Sequence, residues 1–201
     1  MASEKYDQFR EYSKQKEIRS FLDLIGWSEG STYKKLVGGG TFTSFADHPR
    51  KKVWIKSIQD YSTAAGKYQF LESTWDDVAG KLGLKDFSPL NQDIAAVFLI
   101  DRKFALEDII NGDIDDAISK LSWTWASFPP ARYKQNTKSL KSLKEKYNEF
   151  MHSFNLSYAA AKIISPGNIH LLIYFVIIAI PFCYGIYRQW RKRKKINLSR
   201  F

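Results

Sequence analysis

Gly26-Trp27-Ser28-Glu29-Gly30 closes the first strongly patterned helix of this 201-residue chain. Leu22, Ile25 and Trp27, with Phe21 and Leu24 beside them, form an apolar stripe at helical spacing. The stripe leads to one carboxylate and stops at Gly30, a favoured residue just past a helix C-terminus. Glu29 is therefore expected at a helix end, next to an indole ring. The negative end of the helix dipole and the loss of water both disfavour its ionised form. A carboxyl held protonated near neutral pH is suited to general-acid work. The same residue fully in water would be an ordinary helix-end glutamate.

Outward from that stretch, the chain reads as mostly helical with one small sheet. Residues 1–17 are polar and charged, and predict a solvated helical extension joined to the first patterned helix. Gly38-Gly39-Gly40 before Thr41-Phe42-Thr43-Ser44-Phe45 predicts a turn entering a strand. After the turn Asp47-His48-Pro49-Arg50, residues 51–55 predict the returning strand of a small antiparallel β-hairpin. Ser73, with Asp76 three residues later, reads as an N-cap for a helix that stops at Gly83. Ser88-Pro89 opens the next helix, with proline in the first turn. Asp113 caps a short helix with Ile114, Ala117, Ile118 and Leu121 inward. A last helix covers residues 137–150, with Leu140, Leu143 and Tyr147 inward. Residues 18–150 thus form an α+β domain.

Six Trp, eleven Tyr and fourteen Phe call for a well-built core, a sugar-stacking groove, or both. Eight basic residues and no acidic ones follow Glu149, so the formal +10 falls to +2 over residues 1–149. The basicity belongs to the tail. Cys183 is the single cysteine, which excludes an intrachain disulfide. His48, His152 and His170 are far apart, so no metal-ligand cluster is visible and no metal or other cofactor is expected. The N-terminus has no apolar core of a cleavable signal peptide.

Residues 151–168 read as a linker ending in Ser165-Pro166-Gly167-Asn168. Residues 169–187 carry no Asp, Glu, Lys or Arg. As a helix they would span roughly 28 Å, about the thickness of a bilayer core. Tyr174, Tyr184, Tyr187 and Trp190 supply interfacial aromatics, and residues 188–201 form a basic tail. The expectation is a single-pass C-terminal transmembrane helix, with a lipid bilayer as partner. A basic run behind such a span reports topology rather than a nucleic-acid site.

Several stretches together carry a resemblance. They are Phe21-Leu22-Asp23, Trp27-Ser28-Glu29-Gly30, Val37-Gly38-Gly39, Phe42-Thr43, Asp47-His48-Pro49-Arg50-Lys51 and Ala65-Gly66-Lys67-Tyr68-Gln69. Further on come Leu82-Gly83-Leu84-Lys85-Asp86-Phe87-Ser88-Pro89 and Trp125-Ala126-Ser127-Phe128-Pro129. In this order and spacing, residues 18–150 resemble the lambda lysozyme family of lytic transglycosylases, the phage endolysins. The resemblance does not reach residues 151–201.

It implies a lysozyme-like fold and cleavage of the β-1,4 bond between N-acetylmuramic acid and N-acetylglucosamine in peptidoglycan glycan strands. It places the catalytic glutamate at Glu29, needs no cofactor, and implies 1,6-anhydromuramoyl ends. One carboxyl is enough for such a reaction, because the substrate's own C6 hydroxyl replaces water. Glycosidases that use water need two. Asp47, Asp60, Glu72 and Asp76 are second carboxylates by type, but none is expected as a nucleophile.

The resemblance also assigns Lys67, Tyr68 and Gln69 to the sugar groove, with Gly66 letting the backbone approach the sugar. Trp125, Ser127 and Phe128 would form another wall. Trp75 fits groove or core equally, and His48 is expected to stabilise its turn. Three departures stand out: the segment between Glu29 and Gly38 is shorter, Lys67 replaces an arginine, and Pro130 replaces a glycine. A non-catalytic peptidoglycan-binding anchor is the alternative, against which the retained Glu29 argues. The enzyme is expected to face peptidoglycan from a membrane, in a phage virion or the host inner membrane.

Overall fold

A computed structural model describes residues 2–129 and 138–163. The span expected at 169–187, the basic tail and Pro130 lie outside these residues. Residues up to Phe154 pack as one unit, and from Asn155 the chain belongs to a second, whose described part is helical to Ile163.

The first unit is built around a helix that is buried on every side. This is α4, Pro89–Arg102, in which all residues from Asn91 to Ile100 are buried. Such a helix needs no amphipathic stripe. It starts as its sequence requires, with Ser88 Oγ accepting from Asn91 N and Pro89 in the first turn. Four helices pack on it: α1 (Ala2–Tyr12), α2 (Lys16–Ser28), α3 (Glu72–Leu82) and α5 (Leu106–Asn111). Two more follow in sequence, α6 (Ile114–Leu121) and α7 (Leu140–Ile163). The stripe of α2 is fully buried at Phe21, Leu22, Leu24 and Ile25. Each such side chain contributes about 1.5–3 kcal/mol relative to exposure. The inward residues expected for α6 are all buried.

The segment 1–17 departs from a solvated extension. It forms α1 as a separate helix, and Phe9 is buried edge-on against Phe98 of α4, with ring centres 5.5 Å apart. One phenyl ring per three turns anchors an otherwise charged helix.

The hairpin exists, but one step later than the sequence reading. Strand β1 is Val53–Ile55 and β2 is Asp60–Ser62, in the antiparallel register Val53↔Ser62, Trp54↔Tyr61 and Ile55↔Asp60. Thr41 makes only an isolated bridge with Lys35. The three glycines instead sit at a short 3-10 turn, Val37–Gly39. Other boundaries also shift. The cap of α3 is Leu71, not Ser73, and the Glu72 amide is satisfied from outside by Thr63 Oγ1 at 3.0 Å. On α7, Leu143 and Tyr147 are inward as expected, whereas Leu140 is exposed. That helix runs through the segment read as a linker as far as Ile163. Among the described residues no helix is long and apolar enough to cross a membrane.

Candidate active site

Glu29 stands at the C-cap of α2, and the cap geometry follows from its neighbours. Gly30 adopts φ +59°, where a side chain would be strained. Its N–H donates to Trp27 O at 3.1 Å, and Ser31 N donates to Gly26 O at 2.9 Å. This paired closure turns the chain sharply and fixes the direction in which Glu29 leaves the helix.

The carboxyl is half-buried and has a protein partner. Ser127 Oγ donates to Glu29 Oε1 at 2.7 Å, and Ser28 Oγ lies 2.9 Å from Ser127 Oγ. Burial raises the pKa of the carboxyl above its ordinary value, and hydrogen bonds from the side chain and backbone of Ser127 offset that rise in part. The result is a carboxyl biased towards its protonated form, yet with a donor ready for the ionised one.

Glu29 opens into a cavity of about 690 Å³. One side is the hairpin and its turn, with Ile55, Ile58 and Asp60. The other is Gln69, Leu71, Thr124, Trp125 and Ala126. This size is within the ordinary range for small-molecule sites. Gln69 adopts φ +50°, uncommon for a side-chain-bearing residue and often tied to function. Its Nε2 donates back to Gly66 O at 2.9 Å, which leaves Oε1 for an amide N–H. The Trp125 indole N–H is committed to Tyr68 O at 3.0 Å, so Trp125 offers a wall rather than a donor.

The structure therefore brings together Glu29, Gln69, Trp125 and Ser127, but moves three expected residues elsewhere. Tyr68 is only 1% exposed, and its hydroxyl is taken by Asp93 and Arg19. Phe128 is wholly buried, 6.0 Å edge-on from Phe21, and belongs to the core. Lys67 does not line the cavity. Its ammonium is 2.5 Å from Asp23, beneath the rings of Tyr33 and Tyr68, and burial followed by the nearby Arg19 lowers its pKa. Gly66 answers to the interior as well. A Cβ there would lie 2.3 Å from Gln92 Oε1, which accepts the Lys67 amide. Trp75 is a core residue packed on Phe87 at 4.6 Å. His48 holds its turn through Phe70 O and Arg50 N. Of the other carboxylates, Asp47, Glu72 and Asp76 all pair with Arg50, and only Asp60 borders the cavity.

Sequence reading missed the polar cluster below the site. Asp93 receives Arg19, Tyr33 and Tyr68, while Arg19 also meets Asp23 one turn along α2. The signal was an acidic residue inside the apolar run of α4, together with the spacing Arg19 to Asp23.

A helix-capping glutamate in a sugar-sized cavity, on a mostly helical body with a two-stranded sheet, defines the lysozyme-like class. The solved lysozyme of phage lambda in complex with a chitohexasaccharide superposes with a TM-score of 0.65 at 41% identity, covering 68% of this chain and 94% of that one. A second lambda lysozyme structure gives 0.58 at 36% identity, over 70% and 93%. The Endolysin family model matches residues 19–152. The endolysin of Escherichia phage lambda is 43% identical over 141 residues, 65% of this chain and 89% of its own length. That of Escherichia phage P2 is 38% identical over 144 residues, 63% and 87%. The chain belongs to the endolysin family and is a lysozyme-like enzyme that degrades peptidoglycan.

Proposed function

We propose that the chain is a lytic transglycosylase in which Glu29 acts first as acid and then as base. The single observation that supports this reading is a desolvated Glu29 carboxyl held by Ser127 at the mouth of the cavity. Glu29 protonates the glycosidic oxygen between N-acetylmuramic acid and N-acetylglucosamine. The C–O bond breaks and the sugar takes on oxocarbenium character. The ionised Glu29 then removes the C6 hydroxyl proton as that oxygen closes on C1, giving a 1,6-anhydro end. Ser127 stabilises the carboxylate formed midway. Gln69 Oε1 accepts an acetamido N–H, and Trp125 supplies the apolar wall.

The sequence supports a bilayer anchor at residues 169–187, with the enzyme facing peptidoglycan from a virion or host membrane. Mass spectrometry of products from purified sacculi tests the chemistry. Anhydro ends are expected, and water added at every cut overturns the transglycosylase step.

A further inference from the structure

Gly26 lies inside α2, in the turn that leads to Glu29, and is buried. Glycine is among the poorest helix formers, so its place there needs a reason. The reason is close approach. A Cβ on Gly26 would lie 2.8 Å from Lys67 Cε and 2.9 Å from Lys67 Cγ. The Lys67 stem cannot swing clear, because both of its ends are held. Its ammonium pairs with Asp23 of α2 at 2.5 Å. Its backbone N–H donates to Gln92 Oε1 of α4 at 2.9 Å, and Gln92 is wholly buried. Its carbonyl accepts from Ser31 Oγ at 2.7 Å, just past Glu29. Ser31 N in turn closes back on Gly26 O. The arch of chain from Gly26 to Ser31 carries Glu29 and rests on Lys67 at both feet.

We propose that Lys67 is a positioning residue for Glu29: its stem against Gly26 and its carbonyl on Ser31 fix the helix end that aims the carboxyl into the cavity. The inference rests on the reading of Glu29 as the acid. Lys67 lines no part of that cavity and acts through the backbone. Its ammonium is surrounded by Asp23, Arg19, Asp93, Tyr33 and Tyr68, whereas burial and Ser127 set the shift at Glu29. Lys67 therefore acts on Glu29 by placement and not by charge. Misplacing a reacting group by about 1 Å can cost on the order of a hundredfold in rate.

The test measures kcat, KM and the pH–rate profile of the full chain on a soluble, uncrosslinked peptidoglycan fragment. Gly26→Ala improves helix propensity, yet it is expected to lower kcat about tenfold with KM within about twofold. The alkaline limb should move to lower pH, because a carboxyl shifted towards water loses part of its raised pKa. Lys67→Ala should lower kcat about tenfold and move the limb the same way. In that background the clash is gone, and adding Gly26→Ala should cost less than about twofold. Ser31→Ala, a mild change at the other foot, should lower kcat about threefold with the same shift of the limb. An equal cost of Gly26→Ala in both backgrounds overturns the proposal. So does a loss of urea stability with kcat, KM and limb unmoved, which makes Lys67 a structural residue only. A change in KM alone also overturns it and returns Lys67 to the groove. If Gly26→Ala does not fold, Ser31→Ala and Lys67→Ala decide the matter on the same readouts. An active Glu29→Gln chain would instead bring down the reading of Glu29 itself.

Discussion

Ser127 Oγ donates to Glu29 Oε1 across 98 residues of sequence, and Ser28, the residue before that glutamate, completes the contact from the other side. A hydrogen bond to a charged group is worth about 1.5–3 kcal/mol. Ser127→Ala is therefore expected to reduce kcat about tenfold or more. It should also shift the alkaline limb of the pH–rate profile upward, because a hydrogen bond that lowers the Glu29 pKa is gone. A lower rate with an unmoved limb would assign Ser127 to packing alone.

Glu29→Gln should reduce sacculus cleavage by at least the ~10²–10⁴ ascribed to general acid–base catalysis. It should also stabilise the fold at neutral pH. The folded pKa of Glu29 lies above its ordinary value of 4.5, with burial as the main cause. The native state thus favours the protonated carboxyl. Its contribution to stability is full below the ordinary value and is lost as pH rises through the folded one. Glutamine suffers no such loss. Thermal melts should show a gain for the variant at pH 7 that closes below pH 4.5; a constant gap refutes the linkage.

Asp60 is the second carboxylate at the cavity, so it separates a one-acid from a two-acid mechanism. Asp60→Asn should keep kcat within about threefold and leave anhydro ends as the product. Loss of activity on the scale of Glu29→Gln would make Asp60 the partner that hydrolysis requires.

Beneath the site, Asp93 holds Arg19, Tyr33 and Tyr68 together. Asp93→Ala removes the acceptor and leaves the Arg19 charge partly unpaired. Breaking a buried pair from one side costs about 3–5 kcal/mol. Urea unfolding should show a loss of that order, with cleavage per folded molecule little changed. A loss below about 1 kcal/mol would mean that water relieves the site.

The anchor reading has its own test. The full chain should stay with membranes through a high-salt wash. Val176→Lys with Ile177→Lys should release it, since a lysine at a helix centre costs roughly 2.5–3.5 kcal/mol on insertion scales. Release of the unaltered chain by salt would end the reading.

Where residues spoke for themselves locally, the sequence was readable. Ser88-Pro89 starts α4, Gly30 ends α2, and the period of Ile114, Ala117, Ile118 and Leu121 gives α6, because caps and periodicity act within a few residues. The hairpin was misplaced because Thr41–Ser44 has strand-like composition, while pairing is decided across the sheet by Trp54 and Tyr61. The resemblance also placed Tyr68 and Phe128 in the groove. Whether an aromatic side chain faces the cavity or the core depends on Asp93 and Phe21, which come from distant turns of the chain. Glu29 was legible because its helix end is local; its partnership with Ser127 was not.

That long-range contact gives the chain a delay before it becomes chemically competent. During synthesis, a ribosome adding about 5–20 residues per second produces Glu29 seconds before Ser127. Until residues 124–127 arrive, one wall of the cavity is absent and the glutamate meets water, with the acidity of any surface carboxyl. A truncated product that stops short of this segment is therefore expected to lack activity on sacculi. A wall-degrading protein of this design is harmless in pieces and becomes dangerous only when the chain has closed on itself.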